Sequence, residues 1–175
     1  GGNYSSAYST RYDSNFGMSI RGMYGFHSGN DYGIDMPDLY GAQLGLHANI
    51  PAGSVFHELS FNLGALTGSK TYEGELKWKQ QVFPFTAGYS FNVPLSDSAT
   101  FYLGGKIGLH YYKQELSGGG GKVSESDSSG TYSALIGFKF AVAEKTDIVI
   151  GYEITKYWSD VDPYHFITVG FSWSF

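Results

Sequence analysis

Apolar and polar residues alternate one for one along most of this chain. The pattern is clearest in the final segment TVGFSWSF, where the apolar positions are Val169, Phe171, Trp173 and Phe175. Because successive side chains of a strand point to opposite faces, the alternation predicts a strand with one aromatic face and one small, polar face. Period 2 fits better than the helical period of 3.6 almost everywhere, which predicts an all-β protein.

Eight segments carry this alternation: 14–26, 39–50, 55–66, 81–91, 101–113, 131–142, 147–158 and 164–175. The connections between them alternate in length. They are short at 51–54 and 143–146, intermediate at 92–99, compact and acidic at 159–163, and long at 27–38, 67–77 and 116–130. Twelve residues rise about 40 Å along a strand, which crosses an apolar band of about 25 Å even when the strand is tilted.

The composition decides which face is outside. Aromatic residues make up 18% of the chain and there are 25 glycines, yet no run approaches the roughly 18 apolar residues of a membrane helix. The polar face consists mainly of Gly, Ser, Thr and Asn, whereas a solvent-facing sheet normally carries many Lys and Glu. We therefore expect the apolar face to contact lipid and the small residues to fill a narrow interior. Aromatic residues near the segment ends fit interfacial girdles.

The predicted fold is an all-β, eight-stranded antiparallel up-and-down transmembrane β-barrel over residues 14–175. Residues 1–13 are expected to form a polar N-terminal segment on the periplasmic side. A soluble ligand-binding barrel is the competing interpretation. The start of the sequence, GGNYSSAYST, shows no signal peptide, so the chain is either cytoplasmic or already processed.

Charge and cysteine content exclude several classes of function. The net charge is −5 and no Lys/Arg cluster forms a basic footprint, so no nucleic-acid partner is expected. The absence of cysteine excludes disulfides and thiolate metal sites. We expect no metal and no cofactor.

Five charged residues fall on the small, polar face in the middle of their segments: Arg21, Glu58, Lys106, Lys139 and Glu153. Charge in a low-dielectric lumen is costly unless it is paired. We therefore expect a salt-bridge network that fills the barrel, joined by Gln43, His47, His110 and Tyr112. The functional alternative is a narrow channel, gated ion path or proton relay.

The eight-segment layout and the final alternation ending in Phe175 resemble the small outer-membrane barrels of Gram-negative bacteria, the group of OmpX and the OmpA transmembrane domain. The resemblance implies signal-peptide export, a porin-like barrel without a large pore, and surroundings of outer-membrane lipid and lipopolysaccharide. It also implies insertion by the barrel-assembly machinery, which would read Val169, Phe171, Trp173 and Phe175 as an assembly signal. Pro84 departs from the pattern, because it cannot donate to the ladder, and predicts a bulge or register shift.

The predicted role is non-enzymatic: structural, adhesive or in envelope assembly, acting through the extracellular loops on a host or envelope protein. The glycine-rich run in 116–130 predicts a flexible surface loop. A lipid A-modifying enzyme is an alternative, because some small outer-membrane barrels modify lipid A. Its candidate residues are His27, Ser28 and Asp31, with His165 on the same rim, although they match no family motif and loop polarity is the favoured explanation.

Overall fold

Strands make up most of the chain in a computed structural model that describes residues 16–27, 30–31, 34–35, 37–72, 74–158 and 163–175. They are β1 (Phe16–His27), β2 (Asn30–Asp31), β3 (Ile34–Asp35), β4 (Leu39–Ala52), β5 (Val55–Thr71), β6 (Lys77–Pro94), β7 (Ala99–Gly118), β8 (Gly121–Ala143), β9 (Thr146–Tyr157) and β10 (Tyr164–Ser174). Among these residues there is no helix long and apolar enough to cross a bilayer.

Eight of the strands close into one barrel, and β2 and β3 form a separate small hairpin. Each barrel strand is antiparallel to its neighbours, and β1 closes the ring by pairing with β10 from Gly17–Ser174 to His27–Tyr164. The predicted eight-stranded antiparallel barrel is confirmed. Tight turns lie on the rim that also carries Ser174, which we call the short-turn rim, and the other rim is the long-loop rim.

The two faces of the barrel wall have opposite chemistry. Outward side chains such as Phe61, which is 65% exposed, are large and apolar. Inward side chains such as Asn92 and Thr168 are polar and fully buried. This distribution reverses that of a soluble barrel, so the outward face requires an apolar solvent.

The structure corrects the expectation at Pro84. The β5–β6 pairing is interrupted between Leu63–Phe85 and Leu66–Val82, but the register is the same on both sides of the interruption. Gly64 lies beside the proline, where an added Cβ would come within 3.3 Å of Pro84 Cδ. The missing side chain of Gly64 therefore makes room for the ring, and the strand needs no bulge to place it.

Two predicted long loops are largely strand. β5 continues to Thr71 and β6 begins at Lys77, so most of 67–77 belongs to the sheet. In 116–130 the prediction of a flexible loop is wrong, because β7 runs to Gly118 and β8 starts at Gly121. Gly119 and Gly120 have φ values of 58° and 83°, as a two-residue type I′ hairpin turn requires.

The interior is not uniformly small, because inward glycines face large side chains. Tyr102 is 2% exposed, and its hydroxyl occupies the space that a Cβ at Gly137 or Gly151 would need. In the same way, Gly25 makes room for the ring of Phe166. Each of these inward glycines therefore leaves space for one particular large side chain in the lumen.

We predict that Gly151→Ala destabilises the barrel by about 1–3 kcal/mol, because the new methyl group overlaps the Tyr102 hydroxyl and overpacking carries that cost. The midpoint of urea unfolding in lipid vesicles measures the change. Tyr102→Phe in the same chain should restore part of the loss. Gly22→Ala is the matched control, since Gly22 is on the outward face and its nearest neighbour is 3.6 Å away. Equal losses of stability for Gly151→Ala and Gly22→Ala would contradict the fit between Gly151 and Tyr102.

Candidate functional site

Two ion pairs cross the lumen. Lys106 Nζ on β7 lies 2.7 Å from Glu153 Oε1 on β9, and Lys139 Nζ on β8 lies 2.6 Å from Glu58 Oε2 on β5. All four side chains are buried. Since neither strand pair is adjacent in the sheet, each contact joins separate parts of the barrel wall through its interior.

The fifth predicted charge, Arg21, faces an aromatic ring. Its Cζ atom is 5.9 Å from the centre of the Tyr102 ring. Lys139 Nζ approaches the same ring at 5.5 Å and the Phe56 ring at 5.4 Å. These distances are within the range of cation–π attraction, so Tyr102 helps to hold two buried cations, a contact that the sequence pattern did not predict.

Of the four polar residues expected to join the ion pairs, Gln43 does so by a direct hydrogen bond. Lys106 Nζ donates to Gln43 Oε1 at 3.3 Å, and Gln43 Nε2 donates to Asn62 Oδ1 at 3.3 Å. His110 Nδ1 and the Tyr157 hydroxyl are 3.1 Å apart. Among the other two expected members, His47 is buried against Gly17 and Tyr112 packs against apolar residues.

An apolar cluster fills the lumen toward the long-loop rim: Met23, Leu39, Leu66, Val82, Tyr157, Tyr164 and Phe166. The Tyr164 hydroxyl donates to the carbonyl oxygen of Pro37 at 3.2 Å, which ties the chain before β4 to β10. Two cavities deeper in the described lumen measure about 20 and 10 Å³. Each is about the size of one water molecule, so packed side chains fill this part of the interior.

Strands β5 to β8 continue beyond the rest of the barrel as a protruding sheet. Pairing of β8 with β9 ends at Thr131–Tyr157, whereas pairing of β8 with β7 continues to Gly118–Gly121. Next to the Thr131–Tyr157 pair, Trp158 N donates a 3.0 Å hydrogen bond to the Gly130 carbonyl, the last one on the β9 side within the described residues. Residues 121–129 therefore pair with β7 on one side, and no described strand pairs with them on the other.

The protruding sheet has two unlike faces. Its outward face carries four lysines and one glutamate: Lys77, Lys79, Lys113, Lys122 and Glu115. Its lumen-side face has an apolar row in register, Trp78–Leu116–Val123, followed by Glu125 and Asp127. Val123 is 62% exposed and Leu116 is 39% exposed. The sequence pattern predicted loops in this region and therefore neither of the two faces.

The residues considered for an enzyme do not form one site in the described structure. The His165 ring lies on the outward face, stacked on Phe26 at 5.3 Å and in contact with the Tyr152 hydroxyl. The His27 ring instead lies edge-on to Tyr164, a lumen residue, at 5.0 Å. Ser28 and the side chain of Asp31 lie outside the described residues.

Of the four residues of the expected assembly signal, three lie on the outward face of β10, and Phe175 directly follows the end of this strand. Val169 and Phe171 are exposed, and Trp173 stacks on Phe171 with ring centres 6.1 Å apart. Phe175 donates its backbone N–H to the Phe16 carbonyl at 2.9 Å, at the seam between the first and last barrel strands.

Comparison with known proteins supplies the family. Residues 4–175 match the family described as "Outer membrane protein beta-barrel domain", and the chain belongs to it. No curated protein sequence matches the chain. Because membrane barrels of this kind have short periplasmic turns and longer extracellular loops, the short-turn rim faces the periplasm and the long-loop rim faces outward from the bacterial outer membrane.

Solved structures with this fold come from several bacteria. Ail, the attachment invasion locus protein of Yersinia pestis, in complex with the heparin analogue sucrose octasulfate, has a TM-score of 0.61 and 17% identity over 91% of this chain and 97% of Ail. Neisserial surface protein A has a TM-score of 0.59 and 17% identity over 93% of this chain and 98% of its own. A major outer membrane protein of Thermus thermophilus has a TM-score of 0.56 and 11% identity over 91% and 99%. These similarities show the shared fold.

We predict that Glu58→Gln lowers the free energy of unfolding by about 3 kcal/mol, because it leaves the Lys139 ammonium buried without its carboxylate. The double variant Glu58→Gln/Lys139→Met should lose less than the single variant, since it removes the buried charge. Urea unfolding in lipid vesicles, followed by tryptophan fluorescence, measures both. Lys145→Asn, in an exposed turn, is the control. If the double variant loses as much stability as Glu58→Gln or more, the ion pair does not act as a unit.

Proposed function

We propose that this chain is a non-enzymatic adhesive barrel that captures an extended strand of a host or envelope protein on the edge of β8 that no described strand pairs with. The observation that carries the proposal is the edge at residues 121–129, which projects beyond β9. An open edge is a template for strand addition, in which main-chain hydrogen bonds give affinity and side-chain pockets give specificity.

The backbone geometry identifies the groups that the partner would meet. The Gly130 carbonyl points to the β9 side, since Trp158 N donates to it. Backbone groups point alternately to the two sides of a strand, so Ser124, Ser126 and Ser128 also direct theirs to the free side. The Ser128 N–H already donates to Asp127 Oδ1 at 2.8 Å. Ser124 and Ser126 therefore offer the donors for an added strand.

The side chains beside this edge favour a partner strand that carries both apolar and basic residues. The apolar row Trp78–Leu116–Val123 continues in register to the edge, and exposed apolar patches of this kind mark interaction sites. Glu125 and Asp127 lie on the same face, nearer the membrane. We therefore expect the captured strand to present apolar and basic residues on the side that faces the lumen.

The lumen acts as a scaffold in this proposal. Its ion pairs and apolar cluster fix the wall from which the sheet projects, and the two water-sized cavities give no support to a solute channel. His27 and His165 lie on opposite faces of the wall, so their positions do not support a lipid A-modifying site that uses both residues.

We predict that Ser126→Pro reduces adherence of bacteria displaying this protein to immobilised fibronectin, whose modules are β-sandwiches with strand edges, by about fivefold or more. Proline removes the N–H on the free side while leaving the β7 ladder intact. Counting adherent cells at equal surface expression measures the effect, and a coat of helical serum albumin gives the background.

Ser126→Thr is the matched variant, because it changes the side chain and keeps the N–H. It should adhere like the unmodified protein. Equal adherence of the proline and threonine variants, or no adherence above the albumin background for any of the three, would refute strand capture on this edge.

We also propose that the assembly machinery reads the last strand together with Phe175. Phe175→Ala should lower the amount in the outer membrane several-fold while leaving the unfolding midpoint of the refolded protein nearly unchanged. Phe16→Ala is the matched control, since Phe16 is 65% and Phe175 64% exposed and the two residues adjoin the same seam. Quantitative blotting of outer-membrane fractions measures the amounts. Equal reductions for both variants would refute a specific signal.

A further inference from the structure

We propose that the outward face of the protruding sheet binds the phosphorylated saccharide head group of a glycolipid in the surrounding outer leaflet. A cavity of about 260 Å³ lies there across β6, β7 and β8. Its outward-facing lining residues are Lys79, Gln81, Lys113, Glu115, Ser124 and Ser126. This volume is below the 300–1,000 Å³ typical of drug-sized ligands, so it suits one part of a larger head group.

The lining residues form two rows in register. Gln81, Lys113 and Ser126 pair across the three strands in the first row, and Lys79, Glu115 and Ser124 pair in the second. The rows therefore combine ammonium groups with amide and hydroxyl groups. Ammonium groups bind phosphate as point charges, and amide and hydroxyl side chains pair with the hydroxyls of a sugar.

The two rows lie at or just above the depth of the lipid head groups, which favours a ligand from the membrane. The next pair on the same face, toward the membrane, is Phe83–Tyr111, whose ring centres are 6.3 Å apart. Aromatic side chains of this kind mark the membrane interface. Lys113 is two residues beyond Tyr111, which is about 5 Å along the membrane normal for a tilted strand. The polar interfacial layer is about 5–7 Å thick, so Lys113 is at head-group depth and Lys79 lies just above it.

The charge of this face fits an anionic ligand although the whole chain is acidic. Lys77, Lys79, Lys113 and Lys122 share the face with Glu115 as its one carboxylate within the described strands. Lys122 Nζ lies 3.3 Å from Glu115 Oε1, which balances that carboxylate and leaves Lys79 and Lys113 to attract phosphate. Glu125 also lines the cavity, although strand alternation places its side chain and that of Asp127 on the opposite face. The cavity shares Ser124 and Ser126 with the β8 edge, but Lys79 lies on β6 and Lys113 on β7, so lysine substitutions test this site separately from strand capture.

The test uses the full chain in detergent micelles, titrated with fluorescently labelled lipopolysaccharide. Lys79→Gln/Lys113→Gln should weaken binding about tenfold or more, since each lysine near an anionic membrane surface contributes about fivefold. The matched control is Lys70→Gln/Lys145→Asn, which removes two positive charges elsewhere. It should stay within twofold of the unmodified protein. Heat-modifiable gel migration checks that each variant is folded.

Three further titrations distinguish the sources of phosphate. Dephosphorylated lipopolysaccharide should bind the unmodified protein as weakly as the double glutamine variant binds the intact lipid. Inorganic phosphate and sucrose octasulfate, at matched anion concentration, should displace little of the lipid. A change of less than twofold for Lys79→Gln/Lys113→Gln would overturn the proposal. Full displacement by either soluble anion would also overturn it, because the site would then recognise free anions. Adherence to fibronectin should be unchanged by the two lysine substitutions, so this proposal and strand capture fail separately.

Discussion

The requirement that every backbone polar group find a partner inside the membrane governs this architecture. Hydrocarbon offers no hydrogen bonds, so a sheet can cross it only when its first and last strands pair. Here β1 and β10 pair along their whole shared length, and the hydrogen bond between Phe175 and Phe16 extends the seam to its end. Once the ring is closed, alternation alone assigns each side chain to lipid or to the lumen.

Closure with eight strands leaves a lumen that only side chains can fill. The interior is filled by complementary partners: ion pairs between non-adjacent strands, Tyr102 between two cations, and glycines opposite large rings. A filled interior makes a rigid wall, and the sheet formed by β5 to β8 projects from that wall with its edge and both faces accessible. In the two proposals made above, this sheet meets a protein partner at its β8 edge and membrane glycolipid on its outward face.

The sequence alone was sufficient for the barrel but only partly sufficient for its sites. Strict alternation located eight strands and placed Glu58, Lys106 and Glu153 on the inner face. It could not reveal that Tyr102 crosses the lumen, because that contact depends on Gly137 and Gly151 of other strands. The protruding sheet was missed because its polar, glycine-rich sequence is typical of loops, although a Gly–Gly pair between alternating segments is also a hairpin signal.

The glycine–tyrosine pairing inside the barrel bears on how such a chain diverges. Lipid is fluid, so an outward leucine can be exchanged for phenylalanine or valine without a change in any neighbour. An inward position is free to change only together with the residue that fills its space. Residues on the outward face should therefore change quickly and independently of one another during evolution. Residues on the lumen face should change slowly and together with their partners. Tyr102, Gly137 and Gly151 would then be inherited as a set, even among barrels whose outer surfaces share almost no residues.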